Sequence, residues 1–191
     1  MASLPSWYPG DEVKPAPMPL LLVQGFVNTV DIEEGSDLLD DPGTARRWLV
    51  GAGLLDREAD LTSEDARLAR GVRESIRAML LSTDGSLVPA AELEPLRLVA
   101  GARRARLALG DHGAITLESP GRRDVQDALF ELLLIVRAAQ EDGTWARLKL
   151  CANSECRWAY YDRSKNQQGN WCNMAVCGNR LKNRQLRARR T

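Results

Sequence analysis

Apolar residues recur three and four positions apart between Ser63 and Ser82. Leu68, Val72, Ile76 and Met79 form one stripe, with Arg67, Arg70, Arg73 and Glu74 mostly outside it. This is the period of a helix with one face on a core, and Ser63 is placed to cap its start. A second such face, Val125, Leu129, Leu132, Leu133 and Val136, runs through "RRDVQDALFELLLIVRAAQEDG", the strongest helical pattern in the chain. "LLLVQGFVNTVD" (20–31) is apolar almost throughout, which fits a buried helix or a strand; Leu22, Phe26 and Val30 at i, i+4 and i+8 favour the helix. "DPGTARRWLVGAGLL" predicts a short helix carrying Trp48 and Leu49 and ended by glycines. "PAAELEPLRLVAGA" predicts another, interrupted by Pro95 or holding it in the first turn. The period falls to two in "RARLALGDHGAITLES", where alternating segments flank Gly110-Asp111-His112-Gly113, a β-hairpin signature.

These elements predict an α+β protein whose N-terminal domain, residues 20–145, is mainly α-helical with one β-hairpin and is large enough to fold alone. Residues 1–19 hold five of the nine prolines and are expected to form a flexible arm. A small module follows at 146–191. No apolar run approaches the 18 residues of a membrane span, and the first residues lack the layout of a signal peptide. A cytoplasmic protein is expected, nucleoid-associated if it binds DNA.

Composition changes little in this picture, but charge changes more. The chain is neutral overall, with 26 basic and 26 acidic residues. Residues 151–191 nevertheless carry nine Lys/Arg against only Glu155 and Asp162, a net +7 that leaves −7 on residues 1–150. An acidic body with a basic, anion-binding end is implied.

All four cysteines lie in that basic end, as Cys151-x4-Cys156-x15-Cys172-x4-Cys177. Two close pairs across a 15-residue loop have the layout of a structural zinc site, each pair giving two thiolates from one tight turn. An iron–sulfur cluster and disulfides are the competing readings; zinc is favoured, since cytoplasmic cysteine clusters more often bind metal. Four sulfurs would close the shell to water, and the only histidine, His112, lies in the predicted hairpin turn, so the metal would hold structure rather than react. Metal binding would supply most of the folding free energy of so short a module, roughly 10–16 kcal/mol in comparable peptides.

Between the pairs, "RWAYYDRSKNQQGNWC" is expected to form a hairpin turning near Asn166–Gly169, with Trp158 and Tyr160 on one face and Ala159 and Tyr161 on the other. Packing around the metal is favoured over stacking on bases. After Cys177, "GNRLKNRQLRARR" favours helix, and Arg180, Asn183, Arg184, Arg187 and Arg190 share one stripe. Cys172 and Cys177 would lie about 140° apart on a regular helix. Cys172 is therefore expected to precede the helix and Cys177 to open it.

The C-terminal part resembles the CGNR zinc-finger family of bacterial proteins, through Tyr161-Asp162-Arg163-Ser164, Trp171-Cys172, Met174, Cys177-Gly178-Asn179-Arg180 and Lys182. The resemblance implies that Cys151, Cys156, Cys172 and Cys177 ligate one zinc ion. Family members usually place arginines just before the Trp-Cys pair, where this chain has Gly169-Asn170. The N-terminal part is similar to the ABATE domain that commonly precedes this finger, through Phe26, Asn28 and Thr29 of "GFVNTVD" and Arg73 of "VRESIRAMLL". The two together imply a stress-induced transcriptional regulator.

The leading functional expectation is a DNA-binding regulator: Arg180, Arg184 and Arg187 meeting DNA, Arg163 and Lys165 touching phosphates, and the N-terminal domain forming a homodimer, binding a small-molecule effector, or both. An RNA- or ribosome-associated module, favoured by single-strand preference through Trp158 or Tyr160, is one alternative. A basic module docking on an acidic protein without nucleic acid is the other. No nucleophile elbow, phosphate-cradling glycine loop or His-bearing catalytic set is present, so an enzyme is not expected. Asn28 and Thr29 are read as hydrogen-bonded core polar groups in preference to effector contacts.

Overall fold

Three helices open on side chains that accept a backbone N–H of their first turn. The computed structural model describes residues 4–9, 13–82 and 86–179. α1 (Leu20–Val27) is buried along nearly its whole length, which is why its sequence shows no polar face. α2 (Pro42–Gly51) follows Asp41, whose carboxylate accepts from Thr44 N–H. α3 (Ser63–Leu81) starts one residue earlier than expected: Thr62, rather than Ser63, is the cap. Thr62 Oγ1 accepts from Asp65 N–H at 3.2 Å, and Asp65 accepts from Thr62 N–H at 2.9 Å. Asp65 can close this reciprocal box only from the third helical position, which makes Thr62 the cap. α4 (Glu94–Ala102) holds Pro95 in its first turn, after a short 3₁₀ turn at Ala90–Leu93. α5 (Val125–Glu141) is capped by Asp124.

The helices share one apolar core. Phe26, Leu49, Val72, Ile76, Leu129 and Leu132 are fully enclosed in it. α3 and α4 approach so closely that a Cβ on Gly71 would lie 3.0 Å from Pro95, tighter than most packed carbon contacts. Among the described residues no helix is long and apolar enough to cross a membrane.

Among the described residues, three two-stranded antiparallel sheets complete the fold. β1 (Val30–Asp31) pairs with β2 (Ser36–Asp37). β3 (Arg106–Leu109) pairs with β4 (Ile115–Glu118) around the expected Gly-Asp-His-Gly turn, where Gly113 takes the left-handed φ of +78° that its place in the loop requires.

The third sheet corrects the expected hairpin between the cysteine pairs. β5 (Leu148–Leu150) pairs with β6 (Ala159–Tyr161), so the hairpin encloses the first pair instead of joining the two. The reason is burial: Leu148, Leu150, Ala159 and Tyr161 all enter the helical core, which draws β6 toward β5. The Pro-rich segment expected as an arm is anchored at several of its described residues. Tyr161 N–H donates to Lys14 C=O at 2.9 Å, Tyr8 and Ala16 are buried, and Trp7 meets Trp48 edge-on at 6.0 Å.

Candidate metal centre

β5 ends directly at Cys151, and the next turn carries Cys156 back toward β6. Cys151 N–H donates to Trp158 C=O at 2.9 Å, closing the loop at its base. Within the loop, Asn153 C=O accepts from both Cys156 N–H (3.0 Å) and Arg157 N–H (2.9 Å). Arg157 adopts a left-handed φ of +52°, turning the chain into β6. The second pair is built differently. Cys172 precedes a single wide helical turn, Met174–Gly178, and Cys177 lies inside that turn. Asn173 caps it, its side-chain oxygen accepting from Ala175 N–H at 2.9 Å. A Cβ on Gly178 would displace the Met174 sulfur and lie 3.3 Å from Trp171. Ala152 N–H to Asn170 C=O, 2.8 Å, ties the two halves together.

The four sulfurs converge, each within 4.8 Å of the others. Cys172 Sγ stands 3.7 Å from Cys156 Sγ and 3.7 Å from Cys177 Sγ. A tetrahedron with Zn–S bonds of about 2.3 Å has edges of about 3.8 Å, so the cluster fits one structural zinc ion. The donor set is closed: four thiolates leave no position for a water. The thiols perturb one another. Hydrogen bonds from Cys156 and Cys172 hold Cys151 down at about 2, while sharing with Cys151 pushes Cys156 up to about 12 and Cys172 higher still. Cys151 ionises readily while Cys156 and Cys172 resist; a dication at the centre would favour the thiolate form of its ligands.

Around the sulfurs lies a second apolar cluster, with Tyr160 fully buried and Trp158 and Trp171 partly so. β6 therefore serves two cores, Tyr160 facing the sulfurs and its neighbours facing the helices. Tyr160 Oη donates to Gly169 C=O at 2.6 Å, and burial raises its phenol pKa. The 162–169 loop is wound on Asp162, which accepts from Ser164 N–H (3.0 Å), Gly169 N–H (2.7 Å) and Lys149 Nζ (3.0 Å). Burial works to raise the Asp162 pKa, but these bonds outweigh it and hold the carboxyl well below the usual range. A Cβ on Gly169 would sit 2.8 Å from Asp162 Oδ2, so the loop leaves no room for a side chain there.

The N-terminal domain grips the same strand. Asn28 acts as a substitute strand: its Oδ1 accepts from Ala159 N–H at 2.7 Å, and its Nδ2 donates to Ala159 C=O at 2.9 Å and to Tyr8 Oη at 3.0 Å. Gln24 Nε2 adds a bond to the same carbonyl at 3.1 Å. Thr29 Oγ1 donates to Phe26 C=O and accepts from Arg73, whose guanidinium forks onto Asp37 at 2.6 and 2.8 Å. Glu74 then links Arg73 to Arg77, and Arg77 Nη1 donates to Arg157 C=O, one residue beyond Cys156, at 3.4 Å. Asn28 and Thr29, read from the sequence as core polar groups in preference to effector contacts, are buried and spend their polar atoms inside the fold.

The predicted phosphate-contacting residues lie nearby. Arg163 and Lys165 are exposed on the Asp162 loop and line a groove of about 920 Å³ with Lys14, Pro15 and Asn166. Arg163 also donates to Pro15 C=O at 2.8 Å. Arg180, Arg184 and Arg187 lie outside the described residues. Sequence reasoning missed Gln24 and Arg77, and gave Asp162 no role beyond its place in the motif. Gln24 was detectable as a polar residue within an apolar run; nothing in the sequence pointed from Arg77 to Arg157.

Residues 147–190 match the family model described as CGNR zinc finger. Residues 22–141 match the ABATE model, described as "putative stress-induced transcription regulator". No curated protein matches the chain.

Proposed function

Because the chain belongs to the ABATE family and ends in a CGNR zinc finger, we propose that it is a DNA-binding transcription regulator rather than an enzyme. One observation supports this most: the basic run of Arg180, Lys182, Arg184, Arg187, Arg189 and Arg190 begins three residues after the last metal ligand. A basic segment rooted in a rigid site enters a groove with little ordering cost at its base. Arg163 and Lys165, on the loop that Asp162 holds, supply two more phosphate contacts. The N-terminal domain serves as the regulatory part, through dimerisation or an effector. The single-strand RNA reading loses support because Tyr160 is buried and Trp158 packs against the sulfur cluster, leaving neither ring free for base stacking.

The test is selection of sheared genomic DNA from the source organism by the zinc-loaded protein at moderate salt, followed by sequencing of the retained fragments. A few enriched sites sharing a motif support a regulator. Retention without a motif, or none by folded protein, contradicts it.

A further inference from the structure

A cleft of about 430 Å³ opens between α3, the 3₁₀ turn at Ala90–Leu93 and the first cysteine turn. Arg77 lines it from α3, and Arg157 from the position after Cys156. Its volume falls within the range of small-molecule sites.

The hydrogen-bond donors of this cleft are only partly used. The Arg77 side chain is 9% exposed, its Nε meets Glu74 at 3.2 Å, and its Nη1 donates to Arg157 C=O at 3.4 Å. Glu74 has no oxygen to spare, because one meets Arg77 and the other Arg73 at 2.8 Å. Arg77 Nη2 has no partner among the described residues. The one side-chain polar atom there that is both enclosed and unpartnered is Trp48 Nε1, so Arg77 Nη2 opens onto the cleft. Arg157 is half-buried, and its side chain makes no hydrogen bond or ion pair among the described residues. Donors held this far out of water call for an acceptor.

The other residues of the cleft select the ligand. A carboxylate accepts paired bonds from guanidinium groups. Ala78, Leu81 and Pro95 make an apolar wall, and Leu81 is 52% exposed, free to meet an apolar body. Glu92, exposed on the 3₁₀ turn, lines the same cleft and repels a second negative charge. We propose that this cleft binds a small monocarboxylate with an apolar body, its carboxylate on Arg77 and Arg157 and its body on Leu81 and Pro95. A bound carboxylate would tie α3 to the turn that carries Cys156, so occupancy would strengthen zinc retention, and zinc would strengthen binding. That coupling rests on the regulatory role proposed for the N-terminal domain. The binding does not, and its test uses no DNA.

Calorimetric titration of the zinc-loaded full chain with benzoate and with isovalerate is the test. Each is expected to bind with Kd at or below about 1 mM, within reach of ligands of under about ten non-hydrogen atoms. Benzamide has the shape without the charge, and phthalate brings a second carboxylate to Glu92; each is expected to bind at least about tenfold more weakly. Arg157→Gln removes one guanidinium, and Leu81→Glu charges the apolar wall. Both should weaken benzoate at least about tenfold with far-UV circular dichroism unchanged. If Arg157→Gln loses zinc, Leu81→Glu, on α3, decides the matter. No binding of either carboxylate up to about 10 mM overturns the proposal. So does benzamide binding as tightly as benzoate, or Leu81→Glu binding like the wild type. Saturating benzoate should also slow zinc loss to a chelator; unchanged loss with benzoate bound overturns the coupling and leaves the carboxylate site standing.

Discussion

Replacing Asn28 with alanine separates a structural lock from an effector contact. The substitution leaves Ala159 N–H, buried and bonded at 2.7 Å, without a partner, which costs about 1–3 kcal/mol. Ala159 C=O keeps its bond from Gln24 Nε2, so only one backbone group is orphaned. Tyr8 Oη loses the donor at 3.0 Å, and the vacated amide volume adds about 1 kcal/mol. The sum is about 3 kcal/mol, a large share of the roughly 5–15 kcal/mol that holds a domain together. Urea unfolding of the zinc-loaded protein reads the loss directly. Because β6 carries Tyr160 under the sulfurs, competition with a chelator should also show weaker zinc retention. A variant within about 0.5 kcal/mol of wild type, and equally tight for zinc, would refute the lock.

Three further outcomes follow from named contacts. Burial works to raise the Asp37 pKa, but the Arg73 fork outweighs it and lowers it, so its stabilisation is present above the unfolded pKa of about 4 and fades as pH falls through the folded value. Asp37→Asn should therefore cost about 2 kcal/mol near pH 7, and the gap from wild type should narrow below about pH 4, measured by urea unfolding across pH. Gly169→Ala forces a Cβ against Asp162 Oδ2 and should destabilise the protein by about 1–3 kcal/mol, read as a lower melting temperature. Chelating the zinc should change the near-UV signal of Tyr160, Trp158 and Trp171 while most far-UV helical signal persists, because the helical core includes none of the four cysteines.

How much of this could be read from the sequence follows the reach of each interaction. α3 and α5 bury one stripe each, so their period is plain; the β3–β4 turn needs Gly113 at positive φ, and the residue type says so. The cysteines carry their own spacing. β5 and β6 escaped because strands of three residues, buried on nearly every side, show no alternation and pack against α3 and α1, each more than 60 residues earlier in the chain. Pro-rich composition masked Trp7 and Tyr8, whose packing depends on Gly25 leaving room for a ring. A buried amide such as Asn28 announces that it needs partners, but not that they lie 131 residues away.

Salt dependence of DNA binding tests the central claim most directly, by fluorescence anisotropy with a duplex, zinc-loaded protein against chelated protein. With some five phosphates neutralised, log K should fall against log salt with a slope near −4 to −5, and chelation should weaken binding sharply. A slope near zero with zinc intact, or equal binding without zinc, would contradict a basic segment held to DNA by the metal site.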